Sequence, residues 1–376
     1  MKNRYLIIVL LFASSFYACK KDAELSSPEV KLAIEGELVT GKVNEVMAFS
    51  ASTKNGKGFS HEWKLDDKVV SNSYGYNFTP LLAGSYVLAY NAWNDAGSFT
   101  HKYTITVPVP VKGATPESSK FISTVFDYLP APGQFINESL GKPEGAQKLI
   151  GNTNSMVSLG GFGGYIIFGF DHSITNQTGY DLAIYGNPLA PASPWSEAGI
   201  VMVSQDTNGN GKPDDIWYEL AGSEYNDPAT IKNYEITYTN PKSFANVPWK
   251  DNQGNFGTLD VNNFHRHNFY PEFAADQNQL TFKGTLLKST WVKNGSLFGN
   301  AAFLWGYTDS WSTGDDFATN RYNSFDLDWA VKADGTKVVL ATVDFIKVYT
   351  AQNEKGNTLL GEISTEVRGA VDLSIK

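Results

Sequence analysis

Between residues 206 and 215 the chain reads DTNGNGKPDD. Asp206, Asn208 and Asn210 stand at alternate positions, Gly211 follows, and Asp214 and Asp215 close the run. Oxygen side chains at i, i+2 and i+4, then a glycine, can wrap around one hard cation such as Ca²⁺, and the backbone carbonyl of Lys212 would add a further ligand. A bidentate Glu would normally complete such a loop at its twelfth position, but that position is Trp217, so Asp214 or Asp215 must close the shell. Only one of the first three side chains is charged, which places the expected affinity in the extracellular range of roughly 10⁻⁴ to 10⁻³ M. The same residues also suit a plain hairpin turn, since Asn and Gly readily adopt positive φ. A calcium ion here would be structural, ordering the link between IVMVSQ and IWYEL.

A second set of residues suggests recognition of a ligand. GNAAFLWGYTDSW carries Trp305, Tyr307 and Trp311 close together, followed by the polar STGDD, and PASPWSEAG adds Trp195. Flat apolar rings beside Asp and Asn side chains are what a sugar or another ring-rich ligand requires: area for stacking and polar groups for orientation. If the segment is a strand, Trp305 and Tyr307 share one face. Several of these rings would instead serve as core, and Trp329 in FDLDWAV is expected there. Evidence for catalysis is thinner. His265 and His267 in FHRHNFY would lie on one face of a strand, yet two ligands make an incomplete metal site and no HExxH motif supplies the rest. They are expected to face solvent. Carboxylates such as Asp181, Glu197, Asp326 and Asp328 are plentiful, but their pairing is not readable from spacing. GGFGG precedes a strand-like run and not a helix, so a phosphate cradle is not expected, and no nucleophile elbow or dinucleotide fingerprint occurs in context. The expectation is a non-enzymatic protein.

The elements that must hold these residues are strands. The chain is 14% aromatic with 34 Gly and 16 Pro among its 376 residues. Short alternating runs such as SYVLAYNAW, GYIIFGF and KVVLATVDFIKVYT recur between turn residues, while apolar 3.6-residue periodicity is scarce. This predicts an all-β protein of sandwiches. TVPVPVKGATPESSK carries no alternation and reads as a linker over 111–120, separating a domain at 28–110 from a larger one at 121–376. The first holds about seven strand-like runs, the size of an immunoglobulin-like sandwich.

At the N-terminus, Lys2 and Arg4 precede an apolar run that is too short for a comfortable membrane span, and Ala18 stands directly before Cys19, the sole cysteine. This pattern resembles the bacterial lipoprotein signal, with Phe16 where an aliphatic residue is usual. The resemblance implies a signal peptide over 1–18, lipidation of Cys19, and a surface tether over 19–27 whose KKDAE is similar to an outer-face sorting signal. The protein is then expected on the outer membrane, facing the cell exterior, with its lipid as the only membrane contact. Loss of residues 1–18 removes Lys2 and Arg4 and no acid, taking the formal charge from −9 to −11. Such an acidic surface argues against nucleic acid or anionic lipid as partners.

Within 28–110, HEWKLDDKVV and YNFTPLLAGSYVLAYNAWNDAGS resemble the PKD-type domain. Trp63 stands in place of the core tryptophan, Asp66 and Asp67 form the turn, and Tyr86–Trp93 is a late strand; the family's Asp-Gly is Asp-Lys here. Such domains are usually spacers. The stretches LGGFGGYIIFGF, SEAGIVMVSQDTNGNGKPDDIWYEL and VVLATVDFIKVYT make residues 121–376 similar to a family of Bacteroidetes surface proteins, which implies a jelly-roll-like pair of antiparallel sheets and a binding role. A surface lipoprotein that captures a glycan or similar small nutrient is therefore expected. The alternatives are an accessory to a TonB-dependent transporter for another ligand such as a corrinoid, a carbohydrate-active enzyme, or an adhesin.

Overall fold

The computed structural model describes residues 25–55, 58–294 and 297–376, so the signal, Cys19 and most of the tether lie outside the described residues. None of the helices among the described residues is long and apolar enough to cross a membrane. The chain is all-β, and it divides into two compact units, the first ending at Val107 and the second built mainly from Pro108–Lys376.

The first unit is a sandwich of two sheets. Val30–Leu32, Met47–Thr53 and Gly75–Phe78 form the smaller one. The larger orders Leu38–Thr40, Gly97–Val107, Gly84–Asn94, Ser60–Leu65 and Lys68–Ser71. Trp63 is fully buried between them, its ring 4.8 Å from that of Tyr90 and 6.1 Å from that of Phe49, and its indole N–H donates to the Ser73 carbonyl at 3.0 Å. Asp66 and Asp67 both have positive φ, 46° and 65°, the conformation that a two-residue hairpin needs to match strand twist. Asp tolerates it because a short polar side chain can bond locally, and Asp66 Oδ1 accepts from the Val87 amide at 2.9 Å. Lys68, where the related pattern has Gly, therefore begins the next strand instead of occupying the turn.

The second unit is organised by a six-stranded antiparallel sheet: Ala330–Val331, Trp217–Leu220, Gly199–Ser204, Thr342–Thr350, Tyr165–Thr175 and Thr124–Leu129, in that order. Alternate residues of one strand point to opposite faces, and here both faces are apolar. Val201 and Val203 join Ile166, Phe168, Ile346 and Val348 in one core, closed by Leu182, Ile184, Phe325 and Ala370 of a three-stranded sheet. On the other face Ile200 and Tyr349 pack with Tyr234, Ile236, Tyr238 and Phe282 of a four-stranded sheet. The sandwich thus carries a further layer, and its central strands are buried on both sides, which accounts for runs such as GIVMVS that are apolar throughout instead of strictly alternating.

The end of the chain is pinned by a buried histidine. His172 contacts Asp171 through Nδ1 at 2.6 Å and Asp372, on the Gly369–Asp372 strand, through Nε2 at 2.7 Å. Burial alone would lower its pKa, but the two carboxylate hydrogen bonds outweigh that and raise it. A raised folded pKa means that the native state favours the imidazolium, so this contribution is complete below the unfolded value near 6.5 and is lost as pH rises through the folded one. His172→Gln should therefore lower the melting temperature more at pH 5.5 than at pH 9. An equal deficit at both pH values, read by thermal denaturation, would show that the charge plays no part.

Candidate functional site

Three carboxyl groups that are distant in sequence meet in the second unit. Glu197 precedes the Gly199–Ser204 strand, Asp309 follows Thr308 where that residue bridges to Gly199, and Glu366 lies on the Glu366–Val367 strand paired with Val157–Ser158. They are exposed by 6%, 1% and 2%, and one oxygen of each lies within 4.8 Å of the others. Asp309 Oδ1 accepts from the Asn187 amide at 2.8 Å and Oδ2 from the Glu366 amide at 2.9 Å. Glu197 Oε1 accepts from the Ser364 amide at 2.9 Å, and Ser364 Oγ donates to Glu366 Oε1 at 3.1 Å. Asp309 holds this position with φ 53°, and Gly186 leaves room for it: a Cβ there would sit 2.5 Å from Asp309 Oδ1.

Charge cannot accumulate in such a place. Burial raises the Glu197 carboxyl to about 7, although hydrogen bonds from Glu366, Ser364 and Trp195 pull the other way. Burial, then the neighbouring Glu197, lifts Asp309 well above the usual carboxylate range, and Glu366 is lifted in the same way by burial, Glu197 and Asp309. Glu362 nearby is also raised to about 7, first by burial; its Oε1 accepts from the Gln134 amide at 2.6 Å while Oε2 is buried without a partner. At neutral pH the group therefore retains protons, and a protonated carboxyl both donates and accepts hydrogen bonds. Fully ionised, the same three oxygens have the spacing to ligate a hard cation.

Glu197 and Glu366 form part of the lining of a cavity of about 440 Å³, together with Trp195, Phe135, Leu189 and Phe298. Trp195 is half-buried; its ring meets Trp291 edge-on at 5.8 Å, and its indole is near enough to Glu197 to favour that carboxyl's charged form. Asn300 fixes the Trp195 segment, donating through Nδ2 to the Ser196 carbonyl at 2.5 Å and to Gln352 Oε1 at 2.9 Å.

The other aromatic candidates do not gather here. Residues 301–316 form turns and bends, so Trp305 and Tyr307 do not share a strand face. Trp305 packs on Trp329 at 4.6 Å, and Trp329, as expected, packs against the core. Tyr307 is 1% exposed in the opposite core, with its hydroxyl oxygen accepting from the Glu224 amide, so the expectation of a ligand-facing ring fails for it: desolvation favours the core and Glu224 satisfies its polar tip. Trp311 lies between Phe317, 5.2 Å away, and the Arg321 guanidinium at 5.1 Å.

In the 206–215 loop, which joins two paired strands, the side chains are engaged with the loop itself. Asp206 accepts from the Asn210 and Gly211 amides at 3.0 and 2.8 Å. Asp214 accepts from Asn208 and Asn210 side-chain amides, and those hydrogen bonds hold its pKa below the usual value. The Lys212 carbonyl accepts from the Asp214 amide at 2.9 Å. Asp215 takes a hydrogen bond from Thr207 Oγ1 while its Oδ2 is buried without a partner. Sequence spacing missed Asp344, on the Thr342–Thr350 strand, whose Oδ2 accepts from the Asp206 amide at 2.8 Å; burial first, then Asp206 and Asp215, raises its pKa. Oxygen donors, one of them orphaned, are the chemistry a hard cation takes, although among the described residues no three of these loop carboxylates share the close spacing of Glu197, Asp309 and Glu366.

His265 and His267 lie in a loop and not on a strand. Their Nδ1 atoms approach Glu138 Oε1 at 3.0 and 3.3 Å, and His267 Nε2 is 2.7 Å from the Ile136 carbonyl, so they tie two loops together instead of facing solvent. Asp181 accepts from the Gln177 and Leu327 amides and is structural.

No protein-family model matches the chain, and no curated protein matches it. Among solved structures it is similar to fibronectin(III)-like modules of Clostridium thermocellum CbhA, at 12% identity over 61% of this chain and 90% of that one, TM-score 0.20. It is also similar to a quinonprotein alcohol dehydrogenase-like protein from Bacteroides thetaiotaomicron, at 12% identity over 89% of this chain and 75% of that one, TM-score 0.21.

For the buried acids the linkage sign is definite. Their folded pKa values are raised, so the protonated forms stabilise the fold, and that stability is lost as pH climbs from the unfolded carboxyl range through about 7. The melting temperature should fall between pH 5 and pH 8, and Glu366→Gln, which keeps the shape without the charge, should flatten the fall. An unchanged slope in the variant would mean that Glu366 carries the same charge folded as unfolded across that range.

Proposed function

We propose that the second unit is a non-catalytic capture module for a carbohydrate or similar small nutrient, carried on a lipid-anchored protein at the outer surface of the outer membrane. The observation that carries this reading is the cavity in which the Trp195 ring stands beside Glu197 and Glu366. A ring of that kind offers a stacking face, and protonated carboxyls supply donors and acceptors to hydroxyl groups without presenting net charge. A size of about 440 Å³ suits a ligand of one or two sugar rings. The immunoglobulin-like first unit, similar in its sequence motifs to PKD-type domains, would act as a spacer, and a TonB-dependent transporter would receive the ligand.

One feature favours a glycosidase instead, namely two acids at a cavity wall. Glycosidases, however, hold their carboxyls on either side of the scissile bond, about 5 to 9.5 Å apart. One oxygen of Glu197 lies within 4.8 Å of one of Glu366, short of that separation. Binding without turnover is the reading they support. A screen of neutral oligosaccharides and corrinoids against the full chain tests it. Trp195→Ala should weaken the ligand found by roughly tenfold or more. Release of shortened glycans, or an affinity indifferent to that substitution, would reject it.

The 206–215 loop is proposed to hold calcium, with Asp206, Asn208, Asn210, the Lys212 carbonyl, Asp214 and Asp215 as the ligand set and Asp344 as an added one. Millimolar Ca²⁺ should then raise the melting temperature, and Asp206→Ala should remove that rise. If the wild-type protein melts at the same temperature with Ca²⁺ and with chelator, the loop is a plain hairpin.

A further inference from the structure

A second cavity, of about 420 Å³, opens on the face of the six-stranded sheet that carries Ile200 and Tyr349, against the Ile231–Thr239 and Gln279–Leu286 strands. Strand register places Lys347, Met202 and Glu219 side by side on three neighbouring strands of its floor, with Lys232 on the wall. Four lysines line it, Lys283 and Lys332 being the others, against Glu219 and Glu235. Within a chain of formal charge −9 this is a locally cationic hollow.

The two inner lysines rest on rings. Lys232 Nζ lies 3.1 Å from the centroid of the Tyr225 ring and is buried with no hydrogen-bond partner; Glu219 Oε1 forms a long ion pair with it at 3.8 Å, while Glu219 Oε2 accepts from Thr285 Oγ1 at 2.6 Å. Lys347 Nζ lies 4.2 Å from the centroid of the Tyr165 ring, and among the described residues no carboxylate comes within ion-pair distance of it. Lys283, by contrast, is spent on Glu235 at 2.6 Å. Burial draws both inner ammoniums below the usual lysine range. A cation resting on an aromatic face keeps its N–H groups free for a second partner. Trp217, also in the lining, gives a ring ligand a surface to lie on.

We infer that this groove is a second binding site, for a saccharide bearing an oxyanion, with Lys232 and Lys347 taking the carboxylate or sulfate. It is separate from the Trp195 cavity and does not depend on what that cavity binds. Calorimetry with trigalacturonate, galactose 6-sulfate and uncharged maltotriose tests it and tells the two anions apart. One or both charged probes should bind, more weakly at high salt, and Lys232→Met and Lys347→Met should each reduce the affinity roughly tenfold, the scale of one charge-assisted hydrogen bond. Any maltotriose binding should be unaffected by these substitutions. In the unsubstituted protein a bound probe should also slow acetylation of Lys347, a readout that holds even if a variant fails to fold. Absence of binding by both anions, or unchanged acetylation at saturating probe, would overturn the site.

Discussion

Placing several carboxyl groups together out of water is expensive unless they stay protonated or find a counter-charge. Glu197, Asp309 and Glu366 are in that position, and much of the second unit is arranged around them. Backbone amides of Asn187, Ser364 and Glu366 turn toward their oxygens, Asp309 takes a backbone conformation that few residues adopt, and Gly186 gives up a side chain to admit it. Residues from three separated stretches must arrive together for any one of them to be tolerated. Glu197 and Glu366 also help to line the cavity, where the Trp195 ring stands beside Glu197.

The layered architecture keeps the largest sheet away from water on both faces. Covering the six-stranded sheet on both faces gives two cores; the lysine-lined cavity lies where one covering layer leaves that sheet incompletely roofed, whereas the Trp195 cavity is walled by loops and short strands outside it. Their chemistry differs sharply. One presents acids that retain protons, the other ammoniums resting on rings, so they suit ligands of different charge.

Class and elements were legible from the residues alone because period-two alternation and turn chemistry are local signals. Trp63 packs in the first core as its motif implied, and the Asp66–Asp67 turn follows directly from what Asp tolerates. The site was less legible. Glu197 was noticed only as one acid among many; Asp309 and Glu366 sit in stretches, TDSW and TEVR, that carry no motif, and nothing local reveals that they converge. Trp195 stands out because Pro and Ser around it signal a loop, whereas Tyr307, in LWGYTDS, reads as sharing a strand face with Trp305 and instead lies in the core. Asp344 was hidden inside an apolar run, read as part of a strand, although an acid in such a run is the one available hint of a buried polar role.

Glu366 and Asp372 belong to the closing stretch of the described chain, and between them they complete both the cavity floor and the clamp on His172. One short run of backbone thus serves two separate tasks: Glu366 reaches the cavity while Asp372, a few residues further on, holds a buried imidazole. A slip in the register of either short strand would be felt at both places at once.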